Sequence, residues 1–319
     1  MRKMFLLGMI AWVLGALISP SFAAFPEKPI QIINPFAAGG ETDMILRIIA
    51  NAAAPHFGQS VVVVNKTGGG GSVGMQYAAK SKPDGYTIAS GSLATLLLHP
   101  LMEKMPFSYM DFSVIGQFGI SQIGFFSKAD VPWKNFQEFV NYAKEHPGVI
   151  KYGSAGAGTI GHLLMESVCV AAGGLKMTHI PYAGTAPALT SLAGGHIQVA
   201  CADVPPAIPL IESKKISPLV ITNTQRVKTL ANVPALGELG YRGVDVWKVL
   251  LVPKGTPAEV VKHLETALGA TLKDQNCITP LAKIGQEPDF MGADKFTPKM
   301  MEDNKWLAEI VDKLGLSKK

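Results

Sequence analysis

A glycine-rich turn that carries an apolar strand-like run into an amphipathic helical pattern occurs twice in this chain. No other feature restricts its fold as much. The first copy reads Ile32-Ile33-Asn34-Pro35-Phe36-Ala37-Ala38-Gly39-Gly40-Glu41-Thr42-Asp43. The second reads Lys151-Tyr152-Gly153-Ser154-Ala155-Gly156-Ala157-Gly158-Thr159-Ile160-Gly161-His162. The first turn of a helix leaves backbone N–H groups without intrahelical partners and carries partial positive charge, so it favours an anion. Glycine lets a ligand approach the backbone because no Cβ intervenes. Two such turns, about one domain apart, predict two anion-holding jaws.

Around the turns, strand-like and helical periods alternate. Residues 29–34, 61–64, 86–90, 199–202, 217–222 and 249–252 read as strands. The 61–64 run is wholly apolar, as buried parallel strands are. Residues 42–54 read as a helix with Met44, Ile45, Ile48, Ile49 and Ala52 on one face, ended by Pro55. A third glycine-rich loop, 67–72, precedes a helix at 73–80. Further helices are expected at 135–145, from the second turn to a stop at Gly173-Gly174, at 185–192, and from Pro257 to 272. The last, at 298–314, aligns Trp306, Leu307, Ile310, Val311 and Leu314 and should pack on the first sheet. This order predicts doubly wound α/β sheets.

The chain opens on a processing signal. Arg2 and Lys3 precede an apolar run from Met4 to Ile18, Pro20 breaks it, and Ser21-Phe22-Ala23 supplies small residues for cleavage after Ala23 or Ala24. The run is short for a membrane span. Removing it lowers the formal charge from +5 to +3, and no basic cluster of the kind nucleic acid requires remains. Cys169, Cys201 and Cys277 make an odd count, which leaves at least one free thiol in an exported protein. Buried free thiols are favoured, and one disulfide through Cys277 stays open.

Enzyme signatures are weak. Gly156-x-Gly158-x-x-Gly161 has the spacing of a dinucleotide loop, but no Asp or Glu stands near 176–182 to hold a ribose. Ser154 lacks the preceding glycine of a nucleophile elbow, since Tyr152 stands there, and His162 would have to serve as its base. The seven histidines show no metal-ligand spacing, so neither a metal nor a cofactor is expected. What remains is binding. Backbone N–H groups with the hydroxyls of Thr42, Ser154, Thr159 and Thr185 suit a carboxylate without a fixed cation.

These residues resemble the extracytoplasmic solute receptors of tripartite tricarboxylate transporters, the Bug-type family. The similarity covers essentially the whole mature chain. Beyond the two turns it includes Asn65-Lys66-x-Gly68-x-Gly70-Gly71, Pro83-Asp84-Gly85-Tyr86-Thr87, Pro181-Tyr182-x-Gly184-x-x-Pro187-Ala188-Leu189-Thr190, Gly194-Gly195 and Pro253-x-Gly255-Thr256-Pro257. The resemblance implies a two-domain type II periplasmic binding protein fold. Each domain would be a doubly wound mixed sheet, with a ligand cleft between them. Domain 1 would comprise residues 25–122 plus 249–319 and domain 2 residues 123–248, with hinge crossings near 118–126 and 241–249. It implies a monomeric periplasmic receptor that delivers a small carboxylate to two membrane subunits of a secondary transporter. The ligand residues it implies are Phe36, Ala38, Gly39, Gly40, Thr42, Asp43, Ser154, Ala155, Gly156, Thr159, His162, Gly184, Thr185 and Asp203, with Ser92 a weaker candidate; none is catalytic.

The chain departs from the family pattern at Glu41, where a neutral residue is usual, at Lys248, where an aromatic is commoner, and at Asp203, where the acid stands one place late behind Ala202. Lys248 or Glu41 is expected to tune the distal half of the ligand, against the alternative that both point into solvent. Two other functions stay open: a receptor that reports to a membrane sensor kinase, and an exported serine hydrolase using Ser154.

Overall fold

The structure, a computed structural model, describes residues 25–318, so the expected processing signal lies outside the described residues. In chain order the first part comprises β1 Ile30–Asn34, α1 Glu41–Phe57, β2 Val61–Asn65, α2 Ser72–Ala79 and β3 Thr87–Ser92. A π-turn, Ala94–Leu98, then runs into the short helix α3, His99–Met102, and on to β4 Phe112–Ser121. The middle comprises β5 Ile123–Lys128, α4 Phe136–Glu145, β6 Lys151–Ser154, α5 Ile160–Ala171, β7 Thr178–Pro181, α6 Thr185–Ala193, β8 Val199–Asp203, α7 Val204–Glu212 and β9 Ile216–Ile221. The chain ends with β10 Val246–Pro253, α8 Ala258–Thr271, α9 Gln275–Lys283, β11 Met291–Gly292 and α10 Ala293–Lys313.

These strands form two mixed sheets of the same design. The first has the order β11-β4-β10-β3-β1-β2 and the second β7-β6-β8-β5-β9. In each, two strands run parallel to a central one, and one antiparallel strand returns through the sheet: β10 between β3 and β4, and β5 between β8 and β9. Two crossings join them. The first is the single residue Gln122 between β4 and β5, and the second is the segment between Ile221 and Val246. Asn223 ties the crossings together, accepting from the Ile123 N–H at 3.3 Å and donating to the Ser121 carbonyl at 3.1 Å.

Alternation along the strands sets the two faces of the first sheet. Ile30, Ile32, Ile88, Leu250 and Val252 meet Leu46 and Ile49 of α1, Leu264 and Leu268 of α8, and Leu281 of α9. Ile33, Ala89, Trp247, Val249 and Leu251 meet Met75 of α2 and Phe296, Leu307 and Ile310 of α10. The latter cluster runs on into the second sheet through Phe125, Tyr152, Leu164 and Leu236. The other face of the second sheet packs Phe126, Ala200 and Ile221 on Leu189 and Leu192 of α6 and Ala207 of α7.

Several expectations from the sequence are corrected. Pro55 does not end α1. The helix runs to Phe57 and closes on Gly58, whose left-handed backbone donates to the Ala54 carbonyl. Pro298 likewise lies inside α10, which starts at Ala293. Neither proline stands in a first turn, so each removes one i→i−4 bond, to the Asn51 carbonyl in α1 and to the Asp294 carbonyl in α10, and the helices carry that loss through their packing. β2 is the edge strand and only Val63 is buried, so its apolar run reflects an edge and not a doubly covered centre. β10 is three residues longer at its start than the 249–252 run suggested, and all eight of its residues are buried. The three cysteines are buried free thiols.

Candidate functional site

Ligand clefts in open α/β sheets lie beyond the carboxyl ends of the parallel strands. Here those ends carry the two glycine turns and a third turn at Gly184. The first turn follows β1 and is built around Asp43, which is 2% exposed. Its Oδ2 accepts from the Gly39 N–H and from Arg47 Nε, both at 2.9 Å, and its Oδ1 from Asn65 Nδ2 at 2.7 Å and Asn34 Nδ2 at 3.4 Å. The Arg47 bond holds the Asp43 carboxyl well below the usual carboxylate range. Asn65 also donates to the Phe36 carbonyl, at 3.1 Å. Asp43 thus fixes the loop through four protein donors. The segment it fixes, Ala38 to Gly40, is exposed, and Phe36 and Thr42 are half-buried. Among the described residues the Glu41, Thr42 and Asp43 N–H groups of the first turn have no acceptor.

The second turn follows β6. Ser154 is fully buried; its Oγ donates to the Gly156 carbonyl at 2.9 Å and lies 2.8 Å from His179 Nε2. Thr159 Oγ1 donates to the same carbonyl at 2.7 Å. His162 Nδ1 accepts from the Gly158 N–H at 3.1 Å, and its ring stacks on that of His179 at 4.1 Å between centroids. The imidazole beside Ser154 is therefore His179, on the neighbouring strand β7, and not His162. Burial lowers both histidines' pKa, and neighbouring His162 lowers His179 further, to about 4. Both are neutral at pH 7. Ala155, Gly156, Thr159 and His162 are half-buried at the turn, and the Ile160 and Gly161 N–H groups have no acceptor among the described residues. Gly158, at φ +72°, faces the first sheet's side across the gap: a Cβ there would meet Met102 Cε at 2.4 Å. The two jaws are thus in van der Waals reach of one another.

The third turn places Gly184 and Thr185 at the start of α6. Thr185 Oγ1 donates to Asp203 Oδ2 at 2.7 Å, at the end of β8. Asp203 pairs with Ile123 across the sheet, and the Val204 N–H donates to the Gln122 carbonyl at 2.8 Å, so Asp203 stands beside the first crossing. On the opposite side of that crossing lies Lys248 of β10, 4% exposed and cross-strand from Ser92. Its Nζ donates to Ser121 Oγ at 2.8 Å and pairs with Glu41 Oε2 at 3.3 Å. Ser92 itself is engaged with Thr95, whose Oγ1 lies 3.2 Å from its own. Lys248 and Glu41 therefore meet each other and do not both point into solvent. Of the residues singled out in the sequence, the fold brings Phe36 to Thr42, Ser154 to His162, Gly184, Thr185, Asp203 and Ser92 to the carboxyl ends of the strands. His179, Ser121 and Gln286 carried no local signal. Each reaches the site only through strand pairing or tertiary packing.

Comparison with known proteins assigns the class. Residues 45–316 match the family described as the tripartite tricarboxylate transporter family receptor, and the chain belongs to that family. A UPF0065 protein in the gbd 5' region of Cupriavidus necator is 34% identical over 92% of this chain and 90% of its own. Among solved structures, a TctC solute-binding protein from Polaromonas is 30% identical with a TM-score of 0.83, covering 91% of this chain and 99% of its own. The periplasmic binding protein BugD is 32% identical with a TM-score of 0.70, over 92% and 100%. MatC of Rhodopseudomonas palustris was solved with malate (25% identical, TM-score 0.70, over 90% and 100%). Another R. palustris protein was solved with adipate (28%, 0.74, over 92% and 99%). The chain is thus a solute-binding protein of the TctC type, and its relatives are receptors rather than enzymes. Among the described residues no helix is long and apolar enough to cross a membrane.

Proposed function

We propose that this protein is a periplasmic receptor that closes on a small carboxylate and delivers it to the membrane subunits of a tripartite tricarboxylate-type secondary transporter. The observation that carries the reading is the convergence of three helix starts, those of α1, α5 and α6, at the carboxyl ends of β1, β6 and β7. N–H groups of the first two have no protein acceptor among the described residues. Such N–H groups bind an anion without a fixed cation. Malate and adipate in two relatives point to the same ligand class. The working protein is the monomer left after cleavage near Ala23 or Ala24. Its lobes, residues 25–122 plus 249–319 and residues 123–248, move about the paired crossings. Ser154 and His179 position the second turn and perform no chemistry.

The test is a thermal-shift panel of carboxylates and amino acids on mature protein stripped of ligand. A ligand at a hundred times its Kd adds about 2.7 kcal/mol of stability, so a cluster of related carboxylates should raise Tm. Folded protein whose Tm no carboxylate moves would overturn the reading.

A further inference from the structure

The charged residues at the inner end of the cleft do not balance. Lys248 is a buried ammonium with two of its directions already used, by Ser121 Oγ at 2.8 Å and Glu41 Oε2 at 3.3 Å. Glu41 is held from its other side as well, with Gln286 Nε2 donating to Oε1 at 2.9 Å. Across the crossing stands a second carboxylate, Asp203. Although it sits at the start of α7, its side chain makes no capping bond to that helix. Oδ2 is taken by Thr185, and Oδ1 has no donor among the described residues. Asp43 is already matched by Arg47. Two carboxylates therefore share one lysine that is bonded to the first of them. Burial pushes the Asp203 pKa up and the Thr185 bond pulls it back, with smaller opposing effects from Glu41, which raises it, and Lys248, which lowers it. A carboxylate in that condition gains most from a cation. A second ligand carboxylate at this end would meet Glu41 and Asp203, against which Lys248, already bonded to Ser121 and Glu41, leaves a single N–H.

We propose that Asp203, backed by Glu41, reads a positively charged nitrogen on the ligand, with Lys248 as the fixed counter-ion that keeps Glu41 in place. The receptor then takes amino-carboxylates in preference to dicarboxylates of the same length. This rests on the carboxylate-receptor reading above: the glycine turns hold the ligand's carboxylate, and the Asp203 end holds its ammonium. Lys248 acts through Glu41 and is a positioning residue.

Calorimetry on the mature protein tests it, with matched pairs of unbranched amino-carboxylates and dicarboxylates of increasing chain length and the corresponding monocarboxylates. The best amino-carboxylate should bind at least about tenfold more tightly than its dicarboxylate partner. Asp203→Asn, which keeps the side-chain shape and an acceptor for Thr185, should reduce that ratio to about threefold or less. Should that variant not fold, Glu41→Gln, at an exposed position, is expected to reduce the ratio in the same direction. A dicarboxylate that binds more tightly than its amino-carboxylate partner in the wild type would overturn the proposal and leave the carboxylate reading standing. So would an unchanged ratio in folded Asp203→Asn. Failure of all three ligand series would overturn both.

Discussion

At Asp43, four donors converge on one carboxylate: the Gly39 N–H, Arg47, Asn34 and Asn65. Removing it strands buried amide groups. Asp43→Ala should cost about 1.5–3 kcal/mol in urea unfolding, the range for lost bonds to a charged group. The pH dependence has a definite sign. The folded carboxyl titrates well below the unfolded value of about 4, so its stabilisation is whole above that pH and is lost as the pH falls beneath it. His179 acts in a different window. It titrates at about 4 in the folded protein and at about 6.5 unfolded, so the unfolded chain takes up the proton first. Tm should therefore fall as the pH drops from about 6.5 towards about 4, and His179→Gln should flatten that slope in a fluorescence melt. The family resemblance marks Asp43 as a ligand residue. The bonds by which Asp43 holds the loop were not legible, because Asn65 comes from the next strand. His179 was invisible for the same reason: only the register of β6 with β7 sets it against Ser154.

The elements were legible where periodicity and local turn chemistry agree. The starts of α1 and α5 and the stop of α5 at Gly173 follow from glycine placement. Pro55 and Pro298 mark no boundary because tertiary packing outweighs the one backbone bond that each removes from its helix. β10 was read short because its first residues, Val246-Trp247-Lys248, place a charge in a strand that proves wholly buried. Only the partners Ser121 and Glu41 make that burial tolerable. Two predictions belong to this scale. Gly74 of α2 packs so closely on the first turn that a Cβ would lie 2.7 Å from the Lys66 carbonyl oxygen and 2.9 Å from Pro35 Cα. Both are backbone atoms, so Gly74→Ala should destabilise by about 1–3 kcal/mol. It should also weaken ligand binding in the same calorimetric assay by displacing Pro35. Trp247 anchors α10 to β10 by donating from Nε1 to the buried Asp303 at 2.9 Å. Trp247→Phe keeps most of the packing and leaves that carboxylate short of a donor, at a cost of about 1–3 kcal/mol in chemical unfolding.

On the scale of the molecule, the paired crossings are what joins the two sheets. Asn223 bonds one crossing to the other. Asn223→Ala should raise hydrogen exchange at the Ile123 N–H and lower ligand affinity; unchanged exchange there would show that the crossings are held by other contacts. The two-sheet division was legible in the repetition of the glycine turn, but the strand order was not, because nothing local announces that a late segment returns to the middle of an early sheet. That return has a consequence for how the protein is made. β10 lies between β3 and β4, is buried along its whole length, and follows every strand of the second sheet in the chain. A fragment ending at residue 245 lacks the centre of its first core and should lose from its circular-dichroism melt the cooperative transition of the first sheet, while the second sheet, complete by residue 221, keeps its own. A chain threaded through a translocation pore from its N-terminus would meet the same condition in time. The leading half would lack its central strand until residues 246–253 emerged behind the whole second sheet, so the order of strands along the chain would act as a delay before the first sheet can close.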